Sequence, residues 1–97
     1  MAINEKYKKE LILVIQRYLP ESTIYLFGSR AKNTEKMGSD VDLAVDSKKT
    51  IHHESIIQIL IDIEDTIIPF KIDLINLQTA SNVIKQEILK HGVLWKR

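Results

Sequence analysis

Three aspartates and one small-residue corner hold the residues of this chain best suited to chemistry. Asp40 and Asp42 are separated by one residue in SDVDLAVD, and Asp73 is the single acid of the apolar run IDLINL. Side chains alternate across a strand, so a strand over Val41–Val45 puts Asp40, Asp42 and Ala44 on one face and Val41, Leu43 and Val45 on the other. Two carboxylates on one face within roughly 7 Å repel each other unless a cation sits between them. In a strand over Phe70–Leu77 the same parity groups Lys71, Asp73 and Ile75, opposite Phe70, Ile72 and Leu74, and the apolar surroundings of Asp73 call for something to compensate its burial. If the two strands are neighbours, Asp40, Asp42 and Asp73 converge. That is a hard-oxygen set of the kind that takes Mg²⁺ together with substrate phosphates. Two such ions, roughly 3.5 to 4 Å apart, can hold the attacking and leaving oxygens of an in-line displacement at phosphorus. Because crowded carboxylates hold protons more tightly, the ions should bind more weakly as pH falls. Taken singly, each acid has a plainer reading: Asp40 as a turn residue, Asp42 as a solvated edge position, Asp73 as the partner of Lys71.

The second feature is Gly28-Ser29-Arg30-Ala31-Lys32, which follows directly on a β-branched and aromatic run, Thr23–Phe27. At such a corner, backbone N–H groups and the Ser29 hydroxyl can approach a phosphate, and Arg30 stands next in line to contact it. Ten residues separate Ser29 from Asp40. Gly-Ser alone is a weak signal; Gly-Ser at this distance from Asp-Val-Asp is a specific one.

The elements that must position these residues are legible from periodicity. Apolar residues spaced by three and four predict a helix over Ile3–Leu19, closed by Pro20, and strands follow at Thr23–Phe27 and Val41–Val45. The run Ile51–Ile68 fits both a strand and a helix pattern; its length and lack of turn residues predict a helix, ended by Pro69. A third strand spans Phe70–Leu77, and its continuous Ile and Leu content predicts a place well inside the sheet. Ser81 caps a last helix that Gly92 terminates, with Val93, Leu94 and Trp95 packing back on the body. The order is helix, strand, strand, helix, strand, helix, with no internal repeat or linker.

On these residues, within LFGSRAKNTEKMGSDVDLAVD and KIDLINL, the chain resembles the polymerase β-like nucleotidyltransferases, and among them the minimal MNT branch paired with HEPN proteins as toxin–antitoxin modules. The resemblance covers nearly the whole chain. It implies an α/β fold with a small mixed three-stranded sheet and flanking helices, in one domain over residues 1–97. It also implies that Gly28, Ser29 and Arg30 bind the nucleotide, that Asp40 and Asp42 hold Mg²⁺, and that Asp73 completes the metal site and assists deprotonation of the acceptor hydroxyl. The activity it implies is transfer of AMP from ATP to a tyrosine of a helical HEPN ribonuclease toxin. Where the family has Arg-Gly after its Gly-Ser-x-Ala stretch, this chain has Lys32-Asn33; Lys offers a point charge without the bidentate fork, and Asn adopts positive φ less freely than Gly. Two other readings stand beside this one: an antitoxin that neutralises by binding alone, and a nucleotidyltransferase acting on a small molecule such as an antibiotic, with its acceptor site on a separate chain.

Composition narrows the field further. Fourteen Lys and Arg against thirteen Asp and Glu leave a net charge of +1, which gives direct nucleic-acid binding no support. A template-dependent polymerase would need fingers and a basic groove that 97 residues do not supply. There is no cysteine, so disulfides, thiolate zinc sites and cysteine nucleophiles are excluded, in keeping with a cytoplasmic protein. The N-terminal apolar stretch, Leu11–Ile15, is too short for a signal or membrane segment. Lys6, Lys8, Lys9, Lys48 and Lys49 read as solvated faces, His52 and His53 as helix-start residues rather than metal ligands, and Trp95 as a packing anchor. The Ile-rich helix carries more apolar residues than one face needs, so it is either fully buried or partly given to a contact with another chain.

Overall fold

The computed structural model describes residues 3–97. Helix α1, Glu5–Tyr18, starts where the Asn4 side chain accepts a hydrogen bond from the Lys6 N–H and ends with the Leu19 N–H on the Ile15 carbonyl, just before Pro20. Strand β1 is Thr23–Phe27, β2 is Val41–Asp46, and α2, His53–Glu64, leads to β3, Ile72–Asn76. A short 3₁₀ turn, Leu77–Thr79, precedes α3, Asn82–His91, at whose start Ser81 accepts a hydrogen bond from the Ile84 N–H as its spacing predicts. His52 occupies the N-cap position of α2 without forming a side-chain cap bond.

The sheet has four strands, not three, in the order β3-β2-β1-β4. The added strand β4, Val93–Lys96, takes up the segment expected only to pack back on the body; it pairs antiparallel with β1, whose other side pairs antiparallel with β2. Strands β2 and β3 are parallel, and α2 supplies the crossover connection that a parallel pair needs. This order puts β3 at an edge. Its apolar run therefore reflects one buried face, Ile72 and Leu74, and not an interior position in the sheet.

Parity divides the core cleanly. Ile24, Leu26, Val41, Leu43, Val45, Ile72 and Leu74 meet Leu11, Val14 and Ile15 of α1 and Ile56, Ile59 and Ile63 of α2. On the opposite face Phe27 and Ala44 pack with Ile88 of α3, flanked by Tyr25, Ile75, Leu77 and Ile84. The two helices on the first face are tied at one end, where the Tyr18 hydroxyl donates to Asp62 and Arg17 forms an ion pair with the same carboxylate at 3.3 Å. The Ile-rich helix is not fully buried: Ile57 and Ile61 remain about half exposed.

Candidate active site

The acids lie on the α3 side of the sheet. Ala44 of β2 is fully buried there beneath Ile88, and Asp42, two residues earlier on the same face, is half-buried at the strand's start. Strand pairing then assembles the site laterally. Asp42 is the partner of Asp73 across the parallel β2–β3 ladder, and neighbouring strands stand roughly 4.8 Å apart, so the two carboxylates leave the same face side by side. The pairing is pinned next to the site by the Val41 N–H, which donates to the Lys71 carbonyl at 2.9 Å. Asp40 sits one residue before β2 and is exposed.

Asp73 is exposed as well, which corrects the expectation that its burial needs compensating. The edge position of β3 is the reason. Asp42 bears the cost instead. Its carboxyl is raised above the ordinary carboxylate range, first by burial and then by the charges of Asp73 and Asp40. Among the described residues no three acidic or histidine side chains are gathered tightly enough, as they stand, to enclose an ion. The donor chemistry nonetheless fits Mg²⁺. Three carboxylates from two adjacent strands crowd one another electrostatically, and two of the three, Asp40 and Asp73, are exposed and able to turn toward a common point.

The small-residue corner closes the other side. Phe27, the last residue of β1, is the ladder partner of Asp42, so the chain turns at Gly28 directly against that carboxylate. Gly28 has φ +75°, and a Cβ there would overlap Asp42 Oδ2. Only glycine lets the turn lie this close. Within the turn the Ala31 and Lys32 N–H groups donate to the Gly28 carbonyl and the Thr34 N–H donates to the Ser29 carbonyl. These three amides are thus used internally, which narrows the donors available for a phosphate to the Ser29 side chain and the groups around it. Asn33, at the place of the family's glycine, takes φ +58°, so the left-handed step survives the substitution.

Arg30 is buried at 8% exposure, with Nε and Nη2 donating to the Ser39 carbonyl at 3.3 and 3.0 Å and the guanidinium 4.4 Å from the centre of the Phe70 ring. It braces the corner against the loop that delivers Asp40. Lys32 reaches α3 instead, in a 2.8 Å ion pair with Glu87. Sequence reasoning left Glu87 unmarked, because a lone acid on the polar face of a helix carries no pattern.

Residues 9–96 match the family described as Polymerase beta, Nucleotidyltransferase. The chain belongs to that family. As a nucleotidyltransferase domain it is 31% identical over 93 residues to the protein adenylyltransferase MntA of Shewanella oneidensis, covering 91% of this chain and 64% of the relative. It spans about two thirds of the length of the curated relatives it matches. Among solved structures, a toxin–antitoxin complex with AMP-PNP superposes with a TM-score of 0.78 at 26% identity, covering 91% of this chain and 71% of that one. A tri-AMPylated HEPN toxin of Shewanella oneidensis in complex with its MNT antitoxin superposes with a TM-score of 0.71 at 24% identity, covering 91% and 67%. At that identity the likeness concerns the fold.

Proposed function

We propose that this nucleotidyltransferase domain, residues 1–97, transfers AMP from ATP to a tyrosine hydroxyl of a HEPN-type helical toxin and thereby acts as its antitoxin. The observation that carries the reading is the ladder pairing of Asp42 with Asp73, with Gly28 turning against Asp42. The relative named a protein adenylyltransferase and the neighbouring toxin–antitoxin complex with AMP-PNP support a protein acceptor and the donor nucleotide.

Gly28 and Ser29 receive the triphosphate, on a turn that Arg30 braces. Asp40, Asp42 and Asp73 would hold Mg²⁺, two ions being the expected number, and the metal would supply charge neutralisation at the phosphates. The acceptor oxygen forms a bond to the α-phosphorus, the bridging bond to the β-phosphate breaks and pyrophosphate leaves. The hydroxyl proton passes to the exposed Asp73 carboxylate and on to solvent. Asp73 suits this role because an incoming protein can reach it, whereas Asp42 is shielded by the corner. Asp40 and Asp73, exposed beside the half-buried Asp42, fit an acceptor that arrives on another protein's surface. The reaction draws on cytoplasmic ATP, and we place the protein in that compartment; among the described residues no helix is long and apolar enough to cross a membrane.

The positive φ at Asn33 favours this reading over neutralisation by binding alone, since the turn keeps the shape that the Lys32-Asn33 sequence puts in question. Incubation with ATP, Mg²⁺ and the helical partner should add an AMP-sized increment to the partner's intact mass, and EDTA should prevent it. Asp42→Asn should abolish the increment. If the toxin is silenced as well by the Asp42→Asn protein as by the wild type, binding and not adenylylation is the antitoxin activity.

A further inference from the structure

We infer that Glu87 is a positioning residue for the triphosphate: from α3 it holds the Lys32 ammonium at the rim of the Gly28–Asn33 turn, where that ammonium meets the phosphates. The inference rests on the nucleotidyltransferase reading above and deepens it. Three observations carry it.

Both ends of the pair are anchored to the site. The Lys32 N–H donates to the Gly28 carbonyl, so Lys32 is fixed relative to the glycine that abuts Asp42. Glu87 is followed by Ile88, which is buried against Phe27 and Ala44, and these are the ladder partner of Asp42 and the next residue of β2 on its face. Glu87 is therefore held over the same patch of sheet from which the acids project.

The contact is also directed. The Lys32 Nζ to Glu87 Oε1 distance is 2.8 Å, and the two side chains keep 38% and 31% of their surface exposed. An ammonium has three donors, and one carboxylate oxygen occupies one of them. The others are left for an anion arriving at the open side of the turn. Without Glu87, a four-carbon chain on an exposed turn would sample many rotamers, and ordering it would then be charged to nucleotide binding.

Finally, Glu87 is kept ionised for the purpose. Its carboxyl is held below the usual range, chiefly by the hydrogen bond from Lys32, against a smaller opposing effect of burial and with further help from the charges of Lys32, His91 and Lys90. The carboxylate thus sits among cations and adds little repulsion toward a polyphosphate.

The test is ATP binding at fixed Mg²⁺, measured by titration calorimetry, together with steady-state KM and kcat for ATP and thermal unfolding of each variant. Glu87→Ala should weaken ATP binding and raise KM by roughly three- to ten-fold, the range of one ordinary net hydrogen bond, since Glu87 orders the ammonium without itself touching the phosphates, with kcat within about two-fold of wild type. Lys32→Ala should do at least as much, and the double variant no more than Lys32→Ala, because Glu87 acts through Lys32. Glu87→Asp should recover part of the loss. The exchanged pair, Lys32→Glu with Glu87→Lys, separates positioning from mere bracing: it should regain the wild-type melting temperature while ATP binding stays impaired. Recovery of ATP binding in the exchanged pair, or unchanged KM in Glu87→Ala, overturns the inference and leaves the nucleotidyltransferase reading intact. Absence of ATP binding by the wild-type protein overturns both.

Discussion

Gly28→Ala would separate the cost of a strained turn from the cost of a displaced carboxylate. Gly28 has φ +75°, a conformation that costs an L-residue about 1–2 kcal/mol. The new methyl would overlap Asp42 Oδ2 and lie 3.1 Å from its Cγ and 3.3 Å from its Cβ. A half-buried carboxylate can rotate aside at little expense, whereas a backbone cannot, so the loss of stability should stay close to the backbone figure. For a domain of this length that corresponds to a fall in melting temperature of roughly 5–12 °C. On the proposed function the rate should suffer far more, since moving a catalytic oxygen by about 1 Å costs on the order of 100-fold. Gly38→Ala supplies the control. Gly38 has φ +84°, and no heavy atom lies within 4 Å of where its Cβ would stand, so it carries the same backbone cost without touching Asp42. Thermal unfolding of both variants, with AMP transfer to the helical partner followed by intact mass at saturating ATP, makes the comparison. Similar melting losses with a rate defect confined to Gly28→Ala is the expected result. Equal rate losses in both variants, or a normal rate in Gly28→Ala, would refute the claim that the corner sets the position of Asp42.

Further consequences concern stability. With metal removed by EDTA, Asp42→Asn should melt higher than the wild type by roughly 1–3 °C, because it deletes a partly desolvated charge facing Asp73 and Asp40; a lower melting temperature would show that the carboxylate is held by favourable contacts. Asp62 behaves in the opposite sense. Its carboxyl is held below the usual range, chiefly by the Tyr18 hydroxyl and then by Gln58, so the stability it adds is present above the ordinary carboxylate pKa and lost as pH falls through its lowered value. Asp62→Asn should therefore be less stable than wild type in urea at neutral pH, and the gap should close as pH falls through the lowered Asp62 pKa; a gap independent of pH would exclude this linkage. Ile59 is fully buried between α2 and the sheet, and Ile59→Ala should cost about 2–5 kcal/mol by urea denaturation; a cost under about 1 kcal/mol would mean that the α2 face is not close-packed.

Much of this protein is written in short stretches of chain. The three- and four-residue spacing of α1, the boundaries of β1, the Ser81 cap and the alternation that puts Asp42 opposite Val41 and Leu43 depend only on neighbours in sequence, and all are present in the fold. The Gly-Ser corner and its distance from Asp-Val-Asp were legible for the same reason. What the chain alone left open depends on which strand lies beside which. The run Ile72-Asp73-Leu74-Ile75 reads alike at the centre or the edge of a sheet, and only the order β3-β2-β1-β4 leaves Asp73 exposed and puts the burden of desolvation on Asp42. Likewise Val93–Lys96 is too short for its own pattern to mark it as a strand, and becomes one because the free edge of β1 supplies the backbone partners. Arg30 and Lys32 are equally basic and two residues apart. The turn sends one inward to Ser39 and Phe70 and the other outward to Glu87, a difference of direction set by packing across the sheet and not by the residues themselves.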